Sequence, residues 1–247
     1  MNWSWLLPTG NGIPVLMYHK VWPGVNDSLT ITPEKLRVQW QFLKQAGYEA
    51  ISLSEYLEIA AGQAERKGKQ VLLTFDDGYR NNLTYAYPLL KEFKWKATFF
   101  IIANTLSETG QKQESEIEQK MSLGELRLLD PAIVQLAMHG YEHENMSKIT
   151  LAASQDALRL SLQAFENSKL PFHKVLAYPY GARPGSDFAQ LKKCMAELGI
   201  KAAFRIGNKV SEVPAQDVYE IKRIDIKGAD TLKEFDVKLT KGKLKPF

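Results

Sequence analysis

The sequence predicts an α/β fold in one domain, either a layered parallel sheet or a barrel. Short apolar runs alternate along the chain with amphipathic stretches, the pattern of buried parallel strands separated by helices. No shift in composition divides the chain, no internal repeat interrupts it, and its 247 residues match the roughly 250 over which an α/β barrel closes a single core. The domain is therefore expected to span residues 1–247, with a core at about 13–226.

The elements follow in order. Ile13 to Tyr18 reads as the first strand. Thr32 is placed to cap a helix over Pro33 to Ala46, because proline suits the first helical position, where its missing N–H goes unused. Leu36, Trp40 and Leu43 recur at helical spacing in that segment, and Gly47 closes it. Ser54 to Ala61 is a second helix, Val71 to Phe75 a strand, Leu83 to Phe93 a helix and Ala97 to Ile102 a strand. Gly110 to Lys120 is rich in Gln, Lys, Glu and Ser and reads as a mobile surface insertion near the mouth of the fold. A helix over Leu123 to Leu129, a strand over Ile133 to Met138 and a helix over Leu151 to Glu166 come next. A strand at Val175 to Tyr178, a helix at Asp187 to Leu198, strands at Ala202 to Ile206 and Tyr219 to Ile226, and a helix at Thr231 to Leu239 complete the pattern.

Composition excludes several classes of function. Thirty-two Lys and Arg against 28 Asp and Glu leave a formal charge of +4, too small and too dispersed for nucleic-acid binding. The single cysteine, Cys194, can form neither an intramolecular disulfide nor a thiolate cluster, so any metal must be held by histidines and carboxylates. Nothing approaches the roughly 18 apolar residues that span a bilayer, and Met1 to Gly12 lacks the basic start of a secretory signal. A cytoplasmic location is the expectation; oligomeric state is not readable.

In barrels and open α/β sheets the working residues gather where strands end. Four ends stand out here: Met17-Tyr18-His19, Thr74-Phe75-Asp76-Asp77-Gly78, Met138-His139-Gly140-Tyr141-Glu142-His143 and Ala177-Tyr178-Pro179-Tyr180-Gly181. Three of the four histidines fall at these ends, and His173 reads as a loop residue. Two histidines four apart can face one ion where the backbone turns tightly, and a carboxylate completes a three-ligand site with a position left for water. Asp76 or Asp77 is the source of that ligand. Neighbouring side chains on extended backbone point apart, so one can bind metal while the other serves as a base. Each motif alone also fits a turn, a cap or core packing; their joint occurrence at successive strand ends favours a site. A rival reading takes His139 to His143 as the HxxEH pattern of inverted zinc peptidases, with Glu142 activating water. That pattern needs a helix, which Gly140 after a strand-like run opposes.

Thr74 to Gly78, His139 with His143, and Tyr178 to Gly181 resemble, in order, the first three motifs of the polysaccharide deacetylases of carbohydrate esterase family 4, the NodB-homology domain. The likeness runs from about Ile13 to about Ile226 and takes in Ile31 to Leu53. It implies a distorted (β/α) barrel of seven strands that removes N-acetyl groups from N-acetylglucosamine-containing glycans. Asp77, His139 and His143 would hold a divalent metal, zinc first, with Co2+, Ni2+ or Fe2+ as alternatives. Asp76 would be the general base, and the backbone N–H of Tyr180 would face the developing oxyanion.

The sequence departs from the commonest pattern: no histidine follows His173, no tryptophan follows Trp95, and Ala177 holds the position of the family's arginine. Leu16-Met17-Tyr18-His19 resembles instead the permuted branch that contains the poly-N-acetylglucosamine deacetylases, which implies His19 as the acid. Arg223 either replaces the arginine that orients Asp76 or is a solvated charge at a strand end. Gly140 stands where the family usually has Ser or Thr, whose hydroxyl helps hold the metal loop. Tyr18, Trp22, Tyr141 and Tyr180 are candidate aromatic faces for sugar rings. Hydrolysis of another small amide, and a silent glycan-binding module, are the competing expectations.

Overall fold

The computed structural model describes residues 12–109 and 115–242. Its central sheet has eight parallel strands: β1 (Val15–Tyr18), β2 (Tyr48–Ile51), β3 (Lys69–Phe75), β4 (Ala97–Ile101), β5 (Val134–Met138), β6 (His173–Ala177), β7 (Ala202–Ile206) and β8 (Ile221–Asp225). Seven of them close into a barrel in the order β1-β8-β7-β6-β5-β4-β3, because β1 pairs back onto β3 from Val15 with Leu72 to Tyr18 with Phe75. The (β/α)7 expectation therefore holds. β2 lies outside the ring, paired with the first half of β3 from Tyr48 with Lys69 to Ile51 with Leu72. The barrel is distorted where the register between β5 and β6 shifts at Ala137/Met138.

Side-chain alternation along the strands separates two cores. Val15, Leu72, Phe100, Ala137, Val175, Phe204 and Ile221 share one buried cluster with Leu53, Tyr56 and Ile59 of α2 (Leu53–Ala60). The Ser54 N–H donates to the side chain of Gln135 at the start of β5, so α2 plugs the end of the barrel where the strands begin. Its start is fixed by a capping box, in which the Ser52 hydroxyl accepts from the Glu55 N–H and the Glu55 carboxylate accepts from the Ser52 N–H. The larger cluster lies between the barrel and its outer helices. There α1 (Pro33–Gln45) buries Leu36, Trp40 and Leu43, with the Trp40 ring tilted against Trp95 and edge-on to Phe93. The Thr32 hydroxyl caps α1 and Pro33 opens it, as its sequence indicates.

Several boundaries differ from expectation. Pro14 separates Gly12–Ile13, which pairs antiparallel with Ser211–Glu212, from β1. β2 escaped the sequence reading because it is four residues long and exposes Glu49. His173 opens β6 and is not a loop residue. The segment read as one helix from Leu83 is a π turn at Asn82–Ala86 followed by α3 (Tyr87–Phe93), with Pro88 in its first turn. α4 (Leu123–Leu126) stops short of Leu129; α5 (Leu151–Ser168), α6 (Phe188–Glu197) and α7 (Leu232–Lys241) are close to expectation. Of the expected insertion, 110–114 lie outside the described residues, as do 1–11 at the start of the chain. The rest does not behave as a mobile loop: Glu116–Glu118 form a 3-10 turn and Lys120 pairs with Tyr79. Among the described residues no helix is long and apolar enough to cross a membrane.

Candidate active site

The four strand ends meet at one mouth of the barrel. At the end of β3 the Asp76 N–H donates to the Tyr18 carbonyl at 3.0 Å, which keeps Asp76 extended. Asp77 then turns to φ +71° and Gly78 to +71°, so the chain reverses and the neighbouring carboxylates diverge. Asp76 receives both arms of Arg223, at 2.6 and 2.7 Å. Arg223 alternates inward with Ile221 along β8, is wholly buried over the Phe100 ring, and also reaches the Thr74 hydroxyl at 3.3 Å. It is therefore not a solvated strand-end charge. Burial alone would raise the pKa of Asp76; Arg223 and then His139 outweigh it and hold the carboxyl below the usual range.

The other carboxylate faces two histidines. His139 follows β5, where its Nδ1 lies 2.9 Å from the Ala177 carbonyl. That contact makes Nδ1 the protonated nitrogen and turns Nε2 toward Asp77 Oδ1 at 3.3 Å, with Asp76 Oδ2 at 3.7 Å. His143, in a left-handed turn at φ +62°, brings its Nε2 to 3.4 Å from the same Asp77 oxygen. Burial, and then the neighbouring His139, lower its pKa to about 4, so it is a neutral imidazole near pH 7. Donor atoms of Asp77, His139 and His143 lie within 4.8 Å of one another, and Asp77 Oδ1 is buried without a hydrogen-bond partner. Two imidazoles, one carboxylate and an orphaned central oxygen fit a divalent cation. Residues 139–145 are not helical, which removes the HxxEH reading; Glu142 is exposed.

His19 follows β1 and its buried Nδ1 has no partner. Burial lowers its pKa, while Asp76 and Asp77, close enough to act on it, pull the other way. Tyr180 enters from the loop after β6 at φ +58°, followed by Gly181 at +63°. A Cβ on Gly181 would lie 2.4 Å from Ile206, so only glycine fits and the turn is forced. The exposed Tyr180 ring lies 4.5 Å from that of His143, centre to centre.

Residues 63–203 match the family model described as polysaccharide deacetylase. The chain belongs to the polysaccharide deacetylase family. It is 25% identical over 191 residues to YxkH of Bacillus subtilis, covering 76% of this chain and 63% of that one. It is 23% identical over 261 residues to the poly-beta-1,6-N-acetyl-D-glucosamine N-deacetylase of Escherichia coli, covering 91% of this chain and 38% of that one. The chain thus spans less than two thirds of the length of either relative. Among solved structures it shares the fold of the Streptococcus pyogenes deacetylase PplD, determined with acetate, at a TM-score of 0.77 and 22% identity, covering 94% and 99% of the two chains.

Arg223, which contacts Asp76, is carried by β8. One neighbour, Lys120 at the end of the strip 115–120, escaped the sequence reading as part of the site. Lys120 places its Nζ 3.2 Å from the Tyr79 ring centre, and burial lowers its pKa to about 8 despite the nearby Asp77 and Glu118. The strip is pinned by Lys20 on Glu118 at 2.5 Å and by the Asn81 amide on the Ile117 carbonyl. No periodicity marks such a strip, so only the turn at Asp77-Gly78 that receives it could have suggested it. Of the aromatic candidates, Tyr18 is buried, stacked on Phe75 and bonded to Gln39, and cannot meet a sugar. Trp22 is half-buried and lies edge-on to Tyr85; Tyr141 is half-buried against the core.

Proposed function

We propose that this domain is a metal-dependent hydrolase that removes acetyl groups from N-acetylglucosamine-containing oligo- or polysaccharides, releasing acetate. The observation that carries the reading is the Asp77, His139 and His143 donor cluster beside Asp76, a carboxylate kept ionised and aimed by Arg223. A cation bound there, with zinc first and Co2+, Ni2+ or Fe2+ as alternatives, supplies Lewis acidity toward the amide carbonyl and lowers the pKa of water.

The chain's own residues do the rest. Asp76 accepts the proton of the attacking water, and its bidentate bond to Arg223 fixes the direction from which it does so. The Tyr180 N–H, set by the two left-handed residues of its turn, donates to the oxyanion as the carbonyl becomes tetrahedral. His19, charged with the proton that Asp76 took from water, gives it to the nitrogen as the C–N bond breaks, so the products are an amine and acetate. The intact base and ligand set favour an enzyme over a silent glycan-binding module.

The test is acetate release from a series of N-acetylglucosamine oligomers, compared with ureide and other N-acyl amides. Release from the oligomers by the wild type and not by Asp77→Ala supports the reading. Hydrolysis of only the other amides would move the substrate, and sugar binding without any release would restore the binding module.

A further inference from the structure

The metal-ligand loop has supports on both sides. Its carbonyls are held by the turn after β4: the Ala103 N–H donates to Gly140 O at 3.0 Å and the Asn104 N–H to Tyr141 O at 2.9 Å. Its amides are held by one side chain. The Glu144 carboxylate accepts from the Tyr141 N–H at 3.1 Å and from the Glu142 N–H at 2.9 Å, with one oxygen on each. Two successive backbone N–H groups on one anion form a nest, which fixes the peptides between His139 and His143.

Gly140 makes room for this arrangement. It sits at φ +77°, and a Cβ there would lie 2.9 Å from Glu144 Oε2 and 3.0 Å from Pro179. The carboxylate fills the space that a side chain at 140 would take, and the residue directly after His139 has no side chain with which to brace the loop. Glu144 itself is half-buried, and Met146 just beyond it is anchored in the core, so the clamp is attached to a fixed point.

We propose that Glu144 is a positioning residue for the metal site: its carboxylate, in the space left by Gly140, sets the loop that carries His139 and His143. It stands apart from the Asp77, His139 and His143 donor cluster and acts through the backbone amides of Tyr141 and Glu142. The inference rests on the metal reading given above and goes beyond it by naming the group that shapes the ligand set.

The test measures zinc affinity of the full chain by competition with a chromophoric chelator, together with thermal melting in excess chelator. Glu144→Ala is expected to weaken zinc binding roughly tenfold or more, the range of lost second-shell support, with metal-free melting close to wild type. Glu144→Gln, which retains one acceptor oxygen, is expected to fall between the two. Gly140→Ala should weaken zinc binding as well, by displacing the carboxylate. Wild-type zinc affinity in Glu144→Gln and in Glu144→Ala would overturn the inference; should the alanine variant fail to fold, wild-type affinity in Glu144→Gln alone would overturn it. No zinc binding by the wild type would overturn the metal reading and this inference together.

Discussion

Arg223 and Asp76, 147 positions apart in the chain, form a two-pronged ion pair at 2.6 and 2.7 Å with both side chains out of solvent. The parallel barrel produces this meeting, since the last strand pairs with the first and the first with β3. A buried pair with this geometry is strong only while both partners are present.

Arg223→Lys keeps the charge and loses the fork. Its kcat is expected to fall about 10- to 100-fold by misdirecting Asp76. Asp76 has its pKa held down by Arg223 against burial, so the base proposed here is active above that pKa and lost as pH falls through it. Weakening the pair raises the pKa, and the acidic limb of the pH–rate profile should move to higher pH. An unmoved limb with unchanged kcat would remove Arg223 from the mechanism. Arg223→Ala should also cost about 3–5 kcal/mol of stability, read by denaturant unfolding, because a buried carboxylate is left unpaired.

His19 lies outside the Asp77, His139 and His143 donor cluster, so the acid role proposed for it can be tested apart from metal binding. His19→Gln should lower kcat by about 100- to 10,000-fold, the usual contribution of a positioned acid, with zinc affinity within a few-fold of wild type. Equal loss of zinc binding and activity would instead make it a ligand.

Lys120 adds positive charge beside Asp77 and the Tyr79 ring. Lys120→Met should lower kcat/KM about tenfold, as the loss of one charge facing the reacting centre, without weakening zinc binding. Weaker zinc binding would show that Lys120 braces the loop and does not act on substrate.

Glu55 ties the capping box of α2 to pH. Burial, the largest single effect, raises its pKa, but the hydrogen bond and charge of Lys96 together with hydrogen bonds from Ser52 outweigh it and bring the value down to about 2 from 4.5. A depressed pKa contributes stability that is complete above the unfolded value and is lost as pH falls from 4.5 toward 2. The carboxylate is half-exposed, so screening holds the effect to about 0.5–1 kcal/mol. In thermal melts Glu55→Gln should be less stable than wild type near neutrality, with the difference shrinking as pH drops toward about 2. A constant difference across that range would contradict the assignment.

The strands were legible where burial on both faces makes a continuous apolar run, as in Val71 to Phe75 and Ala97 to Ile101. β2 was not, since its outer face carries Glu49 in a four-residue strand on the rim of the barrel. The candidate ligands stood out because histidines are scarce and sit at strand ends. Two supports did not: Glu144 contacts backbone N–H groups and Lys120 lies in a polar strip without periodicity, while Arg223 was a candidate whose burial only barrel closure decides. Such contacts are properties of the tertiary structure, and nothing in local spacing encodes them.

The most direct test of the central claim is metal-stripped protein, titrated with zinc, while acetate release from N-acetylglucosamine oligomers is followed. Activity that is absent without metal, returns with one equivalent of zinc, and fails to return in Asp77→Ala is the expected result. Full activity in the stripped protein, or equal recovery in Asp77→Ala, would contradict the account.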